Sequence, residues 1–309
     1  MISDVGNVRT THWQPRLGKF HMLLAAVAVG LIVIGLLLWF FAGSRELYPV
    51  SVSGKYGFMN HSGKLVIQPQ FDHAHRFTDG LAAVEIGSQW GFIDRSGRMV
   101  IAPQYGFADP FSDGLALAGT GPVLGYIDKT GKYAIRAQFA GAGQFNDGLA
   151  PVVINERWGY IDKADRVVVN PQFDEGGNFS EGRAVVRIAN LYGYIDKAGK
   201  LIVTPQFASA GDFHDGLAPA QVNGKFGYID KSGKMKINPE FDTAGDFSDG
   251  LALVSLGGRC GYINKSAKFV INPQFDQGGN FHAGLAPVWL ANREGYINKN
   301  GRYIWNPVS

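Results

Sequence analysis

Two histidines, His73 and His75, stand two residues apart in the stretch "FDHAHRF", a spacing that puts both imidazoles on one face of a strand and offers a metal two ligands. No third ligand accompanies them, and they fall in a connector. Cys260 is the only cysteine, so neither a Cys-based metal cluster nor an internal disulfide can form. A carboxylate recurs at Asp94, Asp128, Asp162, Asp196 and Asp230, which suggests a calcium array until Asn60, Asn264 and Asn298 are seen in its place. A side chain that hydrogen-bonds its own turn accepts Asn and Asp equally, and that is the structural reading of this position. The segment "GTGPVLG", from Gly119 to Gly125, imitates a dinucleotide loop but is a variant turn with no helix after it. HExxH, GxSxG, P-loop and CxxC patterns are absent. The chemistry-bearing residues therefore point to no catalytic centre, no metal and no cofactor.

What positions these residues is a repeat. The Gly of "G[YF]I" falls at Gly57, Gly91, Gly125, Gly159, Gly193, Gly227, Gly261 and Gly295, and every interval is 34. A second Gly, that of "DGL" and its variants, keeps the same interval from Gly80 to Gly284. One connector position is Phe in every copy: Phe77, Phe111, Phe145, Phe179, Phe213, Phe247 and Phe281. Helical repeats also use a period of 34, so alternation has to decide. In "LAPVVIN" Ala150, Val152 and Ile154 mark positions that are apolar in nearly every copy, whereas the positions between are mixed, which is the period of a half-buried strand.

Each unit reads as a three-stranded antiparallel meander, "GLAPV", "GYI" and "KxVI", followed by a connector. Gly closes the turn between the second and third strands, and Asp165 and Ala267 replace it with some strain. Pro69, Pro103, Pro171, Pro205, Pro239, Pro273 and Pro307 end the third strand, because proline lacks the N–H a ladder needs. Pro49, Pro151, Pro219 and Pro287 recur in the first strand, which predicts that its outer side is unpaired. The connector aromatics are expected to wedge between units as the core of each joint.

Residues 22–43, "MLLAAVAVGLIVIGLLLWFFAG", contain no charge and are long enough as a helix to span a bilayer core of about 30 Å. Arg9, Arg16 and Lys19 precede this run, and by the positive-inside rule they hold the N-terminus in the cytoplasm. The predicted organisation is a cytoplasmic segment 1–21, a single-pass anchor 22–43 in the cytoplasmic membrane, and an exported repeat domain 45–309. A cleaved signal peptide is the competing reading, since "AGS" at 42–44 resembles a cleavage site. Beyond residue 44 the chain carries 26 basic and 25 acidic residues, a balance without the electrostatic footprint of a nucleic-acid binder.

The phrases "WGFID" (90–94) and "WGYID" (158–162), with "G[KR]xVIxPQ[FY]D" and "F.[DE]GLA.V", resemble the WG-repeat family of bacterial proteins over about residues 47–307. That resemblance implies a β-rich repeat domain, exported or membrane-anchored, that acts as an interaction module without defined catalysis. Leu124, Cys260 and Glu294 depart from the Trp position.

Stacked open repeats need polar caps, and none is evident, which favours an all-β, propeller-like closed ring of eight units over an open β-solenoid or superhelix. Five of the eight turn residues before "G[YF]I" are basic: Lys55, Arg157, Lys225, Arg259 and Arg293. With the outward Trp289 they form a candidate docking rim for an anionic partner, a protein of the cell envelope. The alternative is a domain that binds or modifies an envelope polysaccharide, with Trp289 and Trp305 stacking on sugar rings.

Overall fold

A computed structural model describes residues 46–306. It contains eight antiparallel sheets and, among the described residues, no helix. The apolar run 22–43, and with it the predicted anchor, lies outside the described residues; within them no helix is long and apolar enough to cross a membrane. Each sheet is one copy of the repeat and one blade of a closed propeller. Blade 2 consists of His73–Ala74, Leu81–Ile86, Gln89–Asp94 and Met99–Tyr105, paired in chain order.

Six of the eight sheets have four strands, where three were expected, because the connector supplies a short extra strand. The first strand is therefore paired on both sides in the blades of Pro219 and Pro287 and bridged once in that of Pro151, which corrects the expectation drawn from these prolines; beside Pro49 in blade 1 no further strand lies among the described residues. Geometry explains how proline is tolerated. Pro151, Pro219 and Pro287 face the connector with their carbonyls, which accept from the N–H groups of Gly143, Gly211 and Gly279 at 2.9, 3.0 and 2.9 Å. The missing proline N–H points to the same side, where the ladder is only two residues long or a single bridge.

The signature glycine follows from a bulge. On the second strand Trp90 and Phe92 pair with Tyr105 and Ile101, so the third strand carries two extra residues over Gly91. A Cβ on Gly91 would lie 2.5 Å from the Ile101 carbonyl oxygen and 2.7 Å from the Pro103 nitrogen. The same backbone crowding recurs at Gly57, Gly125, Gly159, Gly193, Gly227 and Gly261, where only glycine fits. Asp165 and Ala267 adopt φ of 59° and 60°, the left-handed conformation that glycine supplies in the other copies.

Joints between blades are aromatic. Phe77, Phe111, Phe145, Phe179, Phe213, Phe247 and Phe281 are all buried, and each packs on the ring of "G[YF]I" in the preceding blade, with centroids 4.6–4.9 Å apart. Where that ring is Tyr126, Tyr160, Tyr194, Tyr228 or Tyr262, its hydroxyl donates to a glycine carbonyl of the next blade at 2.7–2.9 Å.

The eighth joint closes the ring by other means. Among the described residues blade 1 has three strands, and the sequence has Gly43 where the other copies have the connector Phe. Tyr48 fills the gap: it stands where the other seven copies have Ala, from Ala82 to Ala286. It is 3 % exposed, packs edge-on against Tyr296 at 5.9 Å, and donates its hydroxyl to the Ala283 carbonyl at 2.9 Å. In return Tyr296 donates to the Pro49 carbonyl at 2.7 Å, the group that an inner strand occupies in other blades. Leu285, Val50 and Met59 complete this cluster. The ring is closed, and the open solenoid is not the architecture of this chain.

Candidate functional site

The ring has two faces, and a pit opens along the inner edges of blades 4 to 7. One face carries the hairpins between second and third strands together with the "DGL" turns. Lys129, Lys197, Lys265 and Lys299 on those hairpins each donate, at 2.6 Å, to the backbone carbonyl of the "DGL" aspartate of the preceding blade. The aspartates themselves are staples between blades. The carboxylates of Asp79, Asp113, Asp147, Asp215 and Asp249 accept from the N–H of the glycine one blade further on, at 2.6–3.0 Å, and Glu181 does so at 3.1 Å. Glu46 lies on this face, paired with Arg95 at 3.1 Å, so this is where the chain enters the ring.

The "YIDK" position behaves as the turn reading requires. Asp94 Oδ1 accepts from the Ser96 and Arg98 N–H groups at 2.8 and 3.1 Å, and Asn60 Oδ1 accepts from Ser62 and Lys64 at 3.0 and 3.0 Å. The Ser96 hydroxyl and these N–H groups hold the Asp94 carboxyl well below its ordinary range.

The opposite face carries the two-residue hairpins between first and second strands, which need φ > 0 at both central residues. Asn155 and Glu156, at 49° and 64°, and Ala291 and Asn292, at 51° and 61°, meet that need. The predicted rim residues end these hairpins. Closure makes the basic set contiguous: Lys225, Arg259, Arg293 and Lys55 lie on blades 6, 7, 8 and 1, with Arg157 apart on blade 4. Most of this charge is matched at once. Lys55 pairs with Asp72, Arg157 with Asp174, Lys225 with Asp242 and Arg259 with Asp276.

Each of those aspartates also accepts from the hairpin N–H of the following blade, at Gly87, Ala189, Gly257 and Ala291. The lysine beside Asp72 and Asp242 lowers both carboxyls, with the glycine N–H adding to the effect. The sequence carries the signal for these pairs: an Asp follows each of the four basic residues by 17, whereas Gln89, Val123 and Leu191 are followed by Gly106, Ala140 and Ala208.

Arg293 has no ion-pair partner among the described residues. The exposed Leu290 lies opposite it across the hairpin, the exposed Leu256 holds the equivalent place on blade 7 opposite Arg259, and the half-buried Trp289 stands one step back opposite Glu294. Glu294, next in the chain, turns inward: its Oε2 accepts from Ser51 N–H at 3.3 Å, and burial pushes its carboxyl up. Trp305 is half-buried against the closing cluster.

The pit, about 440 Å³, lies along the inner edges of blades 4 to 7, and is lined by Gly177, Gly211, Trp158, Asn178, Asp212 and Asp246. Burial, then the charge of Asp246, pushes the Asp212 carboxyl up to about 6. Burial raises Asp246 as well, opposed by His214, whose Nε2 is 3.7 Å from its carboxylate. Composition within a varying connector gave no sign of this pair, because the equivalent residues in flanking copies are Asn178 and Asn280. His73 and His75 do not converge: His73 is 3.8 Å from Glu85, and His75 stacks on Trp90 at 4.9 Å. Among the described residues no group of three His, Cys, Asp or Glu side chains could hold a metal.

The model of the WG containing repeat matches residues 56–89, 90–119, 125–158, 158–192, 192–226, 226–260 and 261–288. The chain belongs to the WG-repeat family. No curated protein matches it. Among solved structures it is similar to dihydro-heme d1 dehydrogenase NirN, with 12% identity, a TM-score of 0.57, and coverage of 84% of this chain and 72% of that one. A eukaryotic initiation factor gives 12% identity and a TM-score of 0.52, covering 84% and 83% of the two chains. Hsv2p of Kluyveromyces lactis gives 10% identity and a TM-score of 0.52, covering 73% and 92%. At such identities the likeness concerns the fold alone. This WG-repeat chain is a propeller scaffold assembled from equivalent blades.

Proposed function

We propose that this WG-repeat protein is a membrane-anchored, non-enzymatic scaffold that docks a protein of the cell envelope on the face of the two-residue hairpins. The observation that carries this reading is the hairpin arc on blades 7 and 8, where Arg293 stands without an ion-pair partner among the described residues opposite the exposed Leu290, with Trp289 next in the strand and the exposed Leu256 at the equivalent place on blade 7. Trp, Arg and neighbouring apolar side chains are the composition of interface hot spots. Four paired bases around the ring favour a partner surface that is acidic at its centre, where it meets Arg293. The apolar run 22–43 supports the anchor, and the basic residues ahead of it support export of the ring.

The test is binding of the candidate partner to the full chain carrying Arg293→Glu or Trp289→Ala. Each is expected to weaken binding tenfold or more while leaving the melting temperature in place, and unchanged binding would remove the arc from the account.

A second reading, glycan binding, draws on the pit, whose lining includes the half-buried Trp158 and the carboxyls of Asp212 and Asp246. Binding of a purified envelope polymer that is lost in Trp158→Ala and kept in Trp289→Ala would select it.

A further inference from the structure

On the entry face, each hairpin ends in a basic residue: Lys64, Arg98, Lys132, Arg166, Lys200, Lys234, Lys268 and Arg302. All eight are exposed. Their backbone N–H and carbonyl groups are used by the turn, as in Asp94 N–H to Arg98 carbonyl at 2.9 Å, whereas only the Arg98 and Arg166 side chains bond within it. In blades 2 to 6 an aspartate sits at the start of the same turn, and Arg98 and Arg166 pair with theirs at 2.8 and 2.7 Å. In blades 7, 8 and 1 that residue is Asn264, Asn298 and Asn60. These asparagines make the same backbone bonds, so the fold is served equally while the local negative charge is gone.

Lys268, Arg302 and Lys64 form no ion pair among the described residues; Lys132, Lys200 and Lys234 form none either, but each of those shares its turn with a carboxylate, whereas these three do not. Ring closure makes these three blades consecutive, and Glu46 lies in blade 1, at the point where the chain enters. The apolar run ends at Gly43, and two residues, Ser44 and Arg45, separate it from Glu46. Covalent geometry limits that span to about 10 Å. An unbalanced cationic arc therefore flanks a short tether to the one segment of the chain with the composition of a bilayer span.

We propose that the arc of Lys64, Lys268 and Arg302 lies against anionic lipid headgroups, so that the entry face is turned to the membrane and the opposite face is presented away from it. This rests on the anchoring reading given above. Each basic residue near an anionic surface strengthens its attraction about fivefold, and salt screens the effect. Acting with a tether already in place, three such residues bias the orientation of the ring and need not supply its membrane affinity.

The asparagines allow a test without loss of fold, since Asp occupies their position in five copies. Full-length protein carrying Cys260→Ser is labelled with a fluorophore at Asn300→Cys on the entry face or at Gln89→Cys on the opposite face. It is reconstituted in vesicles with a headgroup-attached quencher, with and without 30 mol % anionic lipid, an order-of-magnitude choice for a strong surface potential. Anionic lipid is expected to quench the label at 300 at least fivefold more than that at 89. The triple variant Asn60→Asp, Asn264→Asp, Asn298→Asp and added salt should both abolish the difference. Quenching at 300 that ignores lipid charge, or that survives the triple variant, overturns the inference, as does absence of quenching because a protein occupies the arc. Release of the whole chain by alkaline wash overturns the anchoring reading itself, an outcome distinct from an integrated chain with an unbiased ring.

Discussion

Changing Tyr48 to Ala restores the residue that the other seven copies carry, and substitutions toward a repeat consensus ordinarily stabilise. The structure predicts the reverse. Tyr48 takes the place of the missing connector Phe of blade 1 and is 3 % exposed in the closing cluster. Truncating a buried ring of that size costs about 3–5 kcal/mol, and loss of the hydroxyl bond to the Ala283 carbonyl adds about 1 kcal/mol. At about 2–4 °C per kcal/mol for a domain of this size, the melting temperature should fall by roughly 10 °C or more. Tyr48→Phe, which keeps the ring, should lose only about 1–2 kcal/mol. Thermal and urea unfolding of the two variants beside the parent chain measures both. A Tyr48→Ala protein as stable as the parent would mean that blades 8 and 1 do not meet in solution, and the argument for closure would fail.

Two further outcomes follow from local geometry. Gly159→Ala places a Cβ 2.7 Å from the Val169 carbonyl oxygen and 2.8 Å from the Pro171 nitrogen, both backbone atoms. Overpacking of about 1–3 kcal/mol should outweigh the gain of about 0.4–1 kcal/mol from a stiffer unfolded chain, and a neutral result in denaturant unfolding would show that the bulge yields. Asp212 is held at about 6 in the folded ring against about 3.9 in the unfolded chain, so the folded state keeps a proton that the unfolded state releases. That stabilisation is full below the unfolded value and is lost as pH rises through about 6. Asp212→Asn should therefore raise the unfolding midpoint at pH 7.5 and leave it unchanged near pH 4; a gain of equal size at both would contradict the assignment.

The elements that repeat were the legible ones. A 34-residue period, alternation in "LAPVVIN" and the turn residues sufficed for strands and an all-β repeat, because each copy restates the same local constraints, whereas the ring rested on the lack of evident polar caps. Inner strands were missed since four of the six are only two residues long, and the two longer ones, Glu175–Ser180 and Thr243–Ser248, are rich in small and polar residues without alternation. The "DGL" aspartates gave no signal of joining blades, because their carboxylates reach 35 residues ahead into the next blade, a distance that periodicity alone cannot reveal. The rim was legible as a set of positions, whereas its charge was not: the matching aspartates 17 residues on make most of those cations part of the fold. The pit acids escaped notice because they occur in only two adjacent copies.

The docking role is tested most directly by photo-crosslinking in cells from a probe at Arg293, with probes at the buried Phe247 and at Lys132 on the entry face as controls. The account predicts that one protein is captured from 293 alone and is lost when Trp289→Ala is added. Capture of glycan, equal capture from Lys132, or no capture from 293 would contradict a protein-docking arc on this face.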